Sequence, residues 1–112
     1  MITNLHEWQT AAARTIVTSH GFERNLTEFC FGIGAESGEL QNYLKKVMFQ
    51  GHVLDQSHVS EELGDILWYL TAIATLFGID LQDVVAKNES KRAIRYPNGF
   101  SEADSIARRD II

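Results

Sequence analysis

The stretch from Glu61 to Phe77 constrains this chain more than any other part of it. Its apolar residues at 63, 66, 67, 70, 74 and 77 follow the helical period of about 3.6 residues. On a helical wheel they fall within about 60° of one line. Beyond Asp65, Trp68, Tyr69, Ala72 and Ile73 make the remaining faces apolar as well. A helix that is apolar all round must be buried all round. A chain of 112 residues suits one domain, residues 1–112, with one core. So small an interior cannot hide this helix unaided, so part of its surface is expected to meet a second copy of the chain.

The flanking sequence reads as further helices. A first helix is expected from Met1 to about Thr18, capped by Asn4 with Glu7 three residues on, its inner face made of Leu5, Trp8, Ala12, Thr15 and Ile16. Asn25 with Glu28 repeats the start signal. The helix it opens carries Phe29, Ile33, Leu40, Leu44 and Val47 on one stripe and stops near Gly51. Ser57 or Ser60 is expected to cap the central helix and Gly78 to close it. Asp80 and Asp83 then start a helix through Leu81, Val84, Val85 and Ile94. Pro97-Asn98-Gly99 is a turn, and the remainder, from Phe100 to Ile112, is a short helix or an arm. The single proline favours long uninterrupted helices. The fold class is therefore all-α, about four helices forming a bundle-like protomer that assembles into a homo-oligomer.

Charge stands where a core is expected. Glu36 falls within the apolar stripe of the second helix and Glu39 at its edge; the central helix begins with Glu62 and Asp65. Each pair is three residues apart and so projects from one face. If the two helices pack antiparallel, all four carboxylates converge. Two carboxylates 5 Å apart repel by about 3 kcal/mol at an effective dielectric of 20, so the cluster needs a counter-ion. Oxygen ligands in this number suit a hard divalent cation, Mg²⁺ first, with Mn²⁺ compatible. Gly38 and Gly64, each just before the second acid, cost about 1 kcal/mol apiece inside a helix. Their matched position implies a close approach of backbone or ligand. Helix packing alone is the plain alternative. Glu61 is turned about 100° from the cluster and is read as exposed. Di-iron carboxylate bundles use Glu-x-x-His pairs, and none is present; His52 and His58 read as solvated or capping residues.

Six of the ten basic residues follow position 86. Lys87, Lys91 and Arg95 recur every four residues and share one helix face, with Asn88 beside it. Such a face is often merely solvated. Paired with a cluster that calls for metal, it suits a polyphosphate held by cations on one side and Lys/Arg on the other. Lys45 and Lys46 could contribute. Net charge is −5, which argues against a nucleic-acid partner. The longest apolar run is too short to span a bilayer, so no membrane partner is expected. No signal peptide is evident at the N-terminus, and Cys30 has no second cysteine to pair with. Together these suggest a cytoplasmic protein.

Taken in order, these residues resemble the MazG-like all-α nucleoside triphosphate pyrophosphohydrolases, most closely the short single-domain members of bacteria and phages. The resemblance rests on Glu36-x-x-Glu39 and Glu62-x-x-Asp65 within Glu61-Glu62-Leu63-Gly64-Asp65-Ile66-Leu67-Trp68-Tyr69-Leu70. Trp8-Gln9 with Ala12, Arg14 and Thr15, then Gly51-His52, Asn88-x-x-Lys91, Arg95-Tyr96-Pro97 and Gly99-Phe100, extend it over most of the chain. One departure is Ala35, where the family often has a further Glu. The resemblance implies hydrolysis of a ribo- or deoxyribonucleoside triphosphate to the monophosphate and pyrophosphate. It further implies that Glu36, Glu39, Glu62 and Asp65 are catalytic and hold Mg²⁺, with Asn88, Lys91 and Arg95 on the phosphates. Tyr69 would line the base or sugar pocket, although a core role suits it nearly as well; Trp8 is read as core. The rival readings are a nucleotide sensor without turnover, a structural helical oligomer, and a hydrolase for another pyrophosphate-containing metabolite.

Overall fold

The computed structural model describes residues 1–111; the last residue of the expected C-terminal segment, Ile112, lies outside them. Five α-helices and one 3₁₀ turn make up the fold, with no β-strand among the described residues. The helices are α1 (Leu5–Ala13), α2 (Phe22–Phe49), α3 (Gln56–Leu76), α4 (Leu81–Arg95) and α5 (Glu102–Ala107). The all-α reading holds, with the C-terminal segment supplying the fifth helix.

Local chemistry explains where the helices begin and end. Asn4 caps α1 as expected: its Oδ1 accepts the Glu7 N–H at 2.8 Å, while the Glu7 carboxylate accepts the Thr3 N–H at 2.9 Å. The helix ends at Ala13, well short of Thr18. The next residues include Thr15, Ile16, Val17 and Thr18, a β-branched run that loses rotamer freedom in a helix. A 3₁₀ turn, Thr18–His20, follows. The expected start of α2 at Asn25 is also corrected. The helix begins at Phe22, after Gly21 at φ +84°, and Asn25 is buried, donating from Nδ2 to the Val17 carbonyl at 3.0 Å. Asp55, rather than Ser57 or Ser60, caps α3 by accepting the Ser57 N–H at 3.0 Å. A carboxylate there also meets the positive end of the helix dipole. Gly78, at φ +67°, follows α3, and Asp80 caps α4 by accepting the Gln82 N–H at 2.9 Å.

The α2–α3 hairpin is the frame of the molecule. Phe22 meets Phe77, Phe29 meets Trp68, and Tyr43 meets His58, with ring centroids 5.4, 5.3 and 4.2 Å apart. Numbers rising on one helix as they fall on the other show that the two run antiparallel. Positions 22, 29, 36 and 43 of α2 are spaced by seven. Three of them are aromatic, and the one between Phe29 and Tyr43 is Glu36.

The buried face of α3 is the one carrying Thr71, Ala72 and Ala74. Fully buried Thr71 accepts the Trp8 Nε1–H at 2.8 Å and donates to the Leu67 carbonyl. In return Trp68 donates to Thr15 Oγ1 at 2.9 Å, fastening the turn after α1 to α3. Gln9 ties both to α4: its Nε2 donates to Thr75 Oγ1 and the Ile79 carbonyl, and its Oε1 accepts the Leu81 N–H at 2.7 Å.

The leucine stripe of α3 faces outward. Leu63 is 53% exposed and Phe77 54%, and Leu67 and Leu70 are uncovered as well. A bend of 103° carries α4 away from α3, so Val84, Val85 and Ile94, expected to pack inward, are exposed and only Leu81 is buried. The bundle is therefore not closed within one chain. Its radius of gyration is 17.3 Å, where a compact chain of this length would have about 13 Å. Its accessible surface is 8108 Å², against about 6,200 Å² for a folded monomer of this mass. No single helix is long and apolar enough to cross a membrane.

Candidate metal centre

Midway along the hairpin, α2 contributes Glu36 and α3 contributes Glu62 and Asp65. One carboxylate oxygen from each lies within 4.8 Å of the other two. That convergence follows from the antiparallel register together with the spacing of three between Glu62 and Asp65. Glu39, one turn along α2, stands outside this set and is exposed. It remains close enough for its charge to act on Glu36.

Electrostatics and hydrogen bonding mark the cluster as incomplete. Glu36 Oε2 and Glu62 Oε2 are both buried without a hydrogen-bond partner. A carboxylate in that condition carries its desolvation cost uncompensated. Burial above all, then the carboxylate of Glu62 and the charges of Glu39 and Asp65, push the Glu36 carboxyl up to about 7. A bound cation would offset these effects by holding the carboxylates ionised. The donors are all carboxylate oxygens, which suits a hard divalent ion, so the residues present fit Mg²⁺ or Mn²⁺.

The glycines beside the acids do not mark a close approach within the chain. A Cβ added at Gly38 or Gly64 would meet nothing within 4 Å. The close approach is at Gly32, where the Tyr69 ring crosses α2 and a Cβ would lie 2.2 Å from it. Tyr69 is half-buried and packs between Phe29 and Trp68, with ring centroids at 6.2 and 5.2 Å. It thus belongs to the inter-helix core. Glu61 is exposed, as expected.

On α4, Lys87, Asn88 and Lys91 line a shallow hollow of about 350 Å³ together with Ile79, Asp83 and Val84. Asn88 Oδ1 accepts from Arg92 Nε at 2.8 Å. Arg95 is engaged elsewhere: its Nε and Nη2 donate to the two oxygens of Asp110 at 2.7 and 2.8 Å. The Asp110 side chain is 2% exposed, and the Arg95 guanidinium holds its carboxyl far below the usual carboxylate range. Lys46 lies half-buried in the last turn of α2, its carbonyl accepting the Gln50 and His52 N–H groups.

Two residues beside the cluster were not anticipated. His58, read from the sequence as a solvated or capping residue, lies in α3 with Nε2 3.6 Å from Glu62 Oε1, and the Tyr43 ring lies tilted against its own. Both were accessible to spacing arguments. His58 is four residues before Glu62 and Tyr43 is seven after Glu36, so each shares a helix face with a cluster acid.

Fold and site together define a class: an all-helical protein whose central hairpin gathers carboxylates suited to a divalent cation, with a basic helix following. More particularly, residues 29–100 match the MazG nucleotide pyrophosphohydrolase domain, and the chain belongs to that family. It is also 30% identical over 87 residues to the Gene 37 protein of Mycobacterium phage L5, covering 74% of this chain and 76% of that protein. No solved structure matches the chain. The family match takes in the hairpin from Phe29 onward and all of α4.

Proposed function

We propose that this chain is a Mg²⁺-dependent nucleoside triphosphate pyrophosphohydrolase, converting a (d)NTP and water into the (d)NMP and pyrophosphate. The observation that carries this reading is the pair of buried, unpartnered oxygens of Glu36 and Glu62 within a three-carboxylate cluster, in a chain of the MazG family. Glu36, Glu62 and Asp65 hold the cation, and Glu39 joins them from the exposed edge; Mn²⁺ can substitute for Mg²⁺. When bound, the metal supplies Lewis-acid stabilisation of phosphoryl charge and acidifies water for attack.

The other residues bind and orient the substrate. Lys91 and the free amide of Asn88 meet the phosphates, with Lys46 a further cation. A guanidinium fork suits phosphate as well as carboxylate, so Arg95 takes the triphosphate in exchange for Asp110. Tyr69, held in the core, presents its half-exposed side to the sugar or base. The uncovered leucine face of α3 and the extended shape of the protomer support a homo-oligomer, dimer or tetramer. The exposed free thiol of Cys30 suits the reducing cytoplasm, and the net charge of −5 speaks against a nucleic acid as partner.

The decisive experiment is a panel of NTPs and dNTPs with Mg²⁺ and separation of the products. Monophosphate with pyrophosphate is expected. Diphosphate with phosphate would refute the bond assignment, and binding without turnover would make the protein a nucleotide sensor.

A further inference from the structure

The two oxygens of Glu62 have unlike surroundings. Oε2 is buried and has no partner, whereas Oε1 stands 3.6 Å from His58 Nε2, one turn earlier on α3. The imidazole is braced in turn by Tyr43 of α2, whose ring centroid lies 4.2 Å from its own. Tyr43 is anchored as well: its hydroxyl accepts the N–H of Asp55, the α3 cap, at 2.7 Å. A continuous path thus runs from the start of α3 through Tyr43 and His58 to one oxygen of a cluster carboxylate.

We infer that His58, braced by Tyr43, is a positioning residue for the metal centre: standing 3.6 Å from Oε1, it restricts rotation of the Glu62 carboxylate and leaves Oε2 oriented for the cation. The inference rests on the cluster's binding a divalent ion. A carboxylate can rotate about its last bond, and a ligand that must be frozen on binding loses affinity through entropy. Partners that orient metal-bound side chains contribute about 10–100-fold in metal affinity. The His58 side chain is 41% exposed, so the imidazole alone would be loosely held, and the Tyr43 ring supplies the wall that restricts it. A purely structural pair, four residues apart on one helix, would affect helix stability and leave metal affinity unchanged.

The test is Mn²⁺ binding to the nucleotide-free protein, read by the electron paramagnetic resonance signal of unbound Mn²⁺, with melting in the absence of metal measured in parallel. His58→Ala is expected to weaken Mn²⁺ about tenfold or more with little change in metal-free melting. His58→Gln keeps an uncharged N–H donor and is expected to recover most of the affinity. Tyr43→Leu removes the brace and is expected to fall between wild type and His58→Ala. Wild-type affinity in His58→Ala, or no recovery in His58→Gln, would overturn the positioning role alone. A wild-type protein that takes up no Mn²⁺ would overturn the metal centre and this role with it. Should His58→Ala fail to fold, His58→Gln and Tyr43→Leu decide the matter.

Discussion

The Tyr69 ring lies so close over Gly32 that a Cβ there would sit 2.2 Å from its nearest atom. Phe29 and Trp68 flank the ring, so it has no easy retreat. Gly32→Ala should therefore destabilise the protein by about 1–3 kcal/mol, as overpacking generally does, and lower the melting temperature. Pairing it with Tyr69→Leu should restore part of the loss. A Gly32→Ala protein that melts like wild type would show that the ring is free to swing away.

The carboxylates should separate stability from activity. Glu36→Gln, Glu62→Gln and Asp65→Asn are each expected to abolish turnover while keeping the helical circular dichroism of the wild type. Because half-buried Glu36 stands among like charges, Glu36→Gln should raise the melting temperature of the metal-free protein by several degrees and lose the further rise that Mg²⁺ gives. Glu39→Gln tests the exposed member of the set: full activity at modest Mg²⁺ would remove Glu39 from the ligands.

Much of this site was legible from spacing. Glu62 and Asp65, three apart on α3, meet Glu36 across the paired helices, whereas Glu39, three residues beyond Glu36, stands outside the group. Spacing could not show whether Asn25 caps a helix or turns inward to Val17, because both uses present the same local pattern. Nor could a wheel assign an inside to α3, whose every face is apolar; that required the positions of Trp8 and Thr71. Gly32 escaped notice because a close approach was sought beside the acids and occurs under an aromatic ring instead. The bend after α3 falls at Gly78 and Asp80, where Gln9 bonds both sides of the connection, and it left α4 more exposed than its apolar residues foretold.

The Arg95–Asp110 pair makes the C-terminal segment acid-sensitive. The folded-state pKa of Asp110 lies below its ordinary 3.8, so the stabilisation is complete above that value and fades as pH falls below it. Hydrogen exchange in α5 and the residues after it should quicken below about pH 3.8, and Asp110→Asn should show fast exchange already at neutral pH. If triphosphate also uses the Arg95 fork, Asp110→Asn should lower KM and Arg95→Lys should raise it. Lys91→Ala should raise KM about tenfold or more, since charge-assisted contacts contribute about 1.5–3 kcal/mol each. Unchanged kinetics in Lys91→Ala and Arg95→Lys together would show that this face of α4 is solvated only.

Assembly should depend on the outward leucines of α3. Leu67→Lys places a charge on the partly exposed stripe, and light scattering should then report monomers where wild type gives a dimer or tetramer. A wild-type protein that is monomeric at micromolar concentration would refute the assembly outright.

The 103° bend between α3 and α4 has a consequence for how such a protein can diverge. The acids lie on the rigid hairpin, and the basic face lies on a separate rod hung from it near Leu81. A substitution in the connecting residues or in Gln9 can swing that rod without moving a single acid. Descendants of one ancestor could thus acquire new substrates by small changes in aim while inheriting the reaction intact.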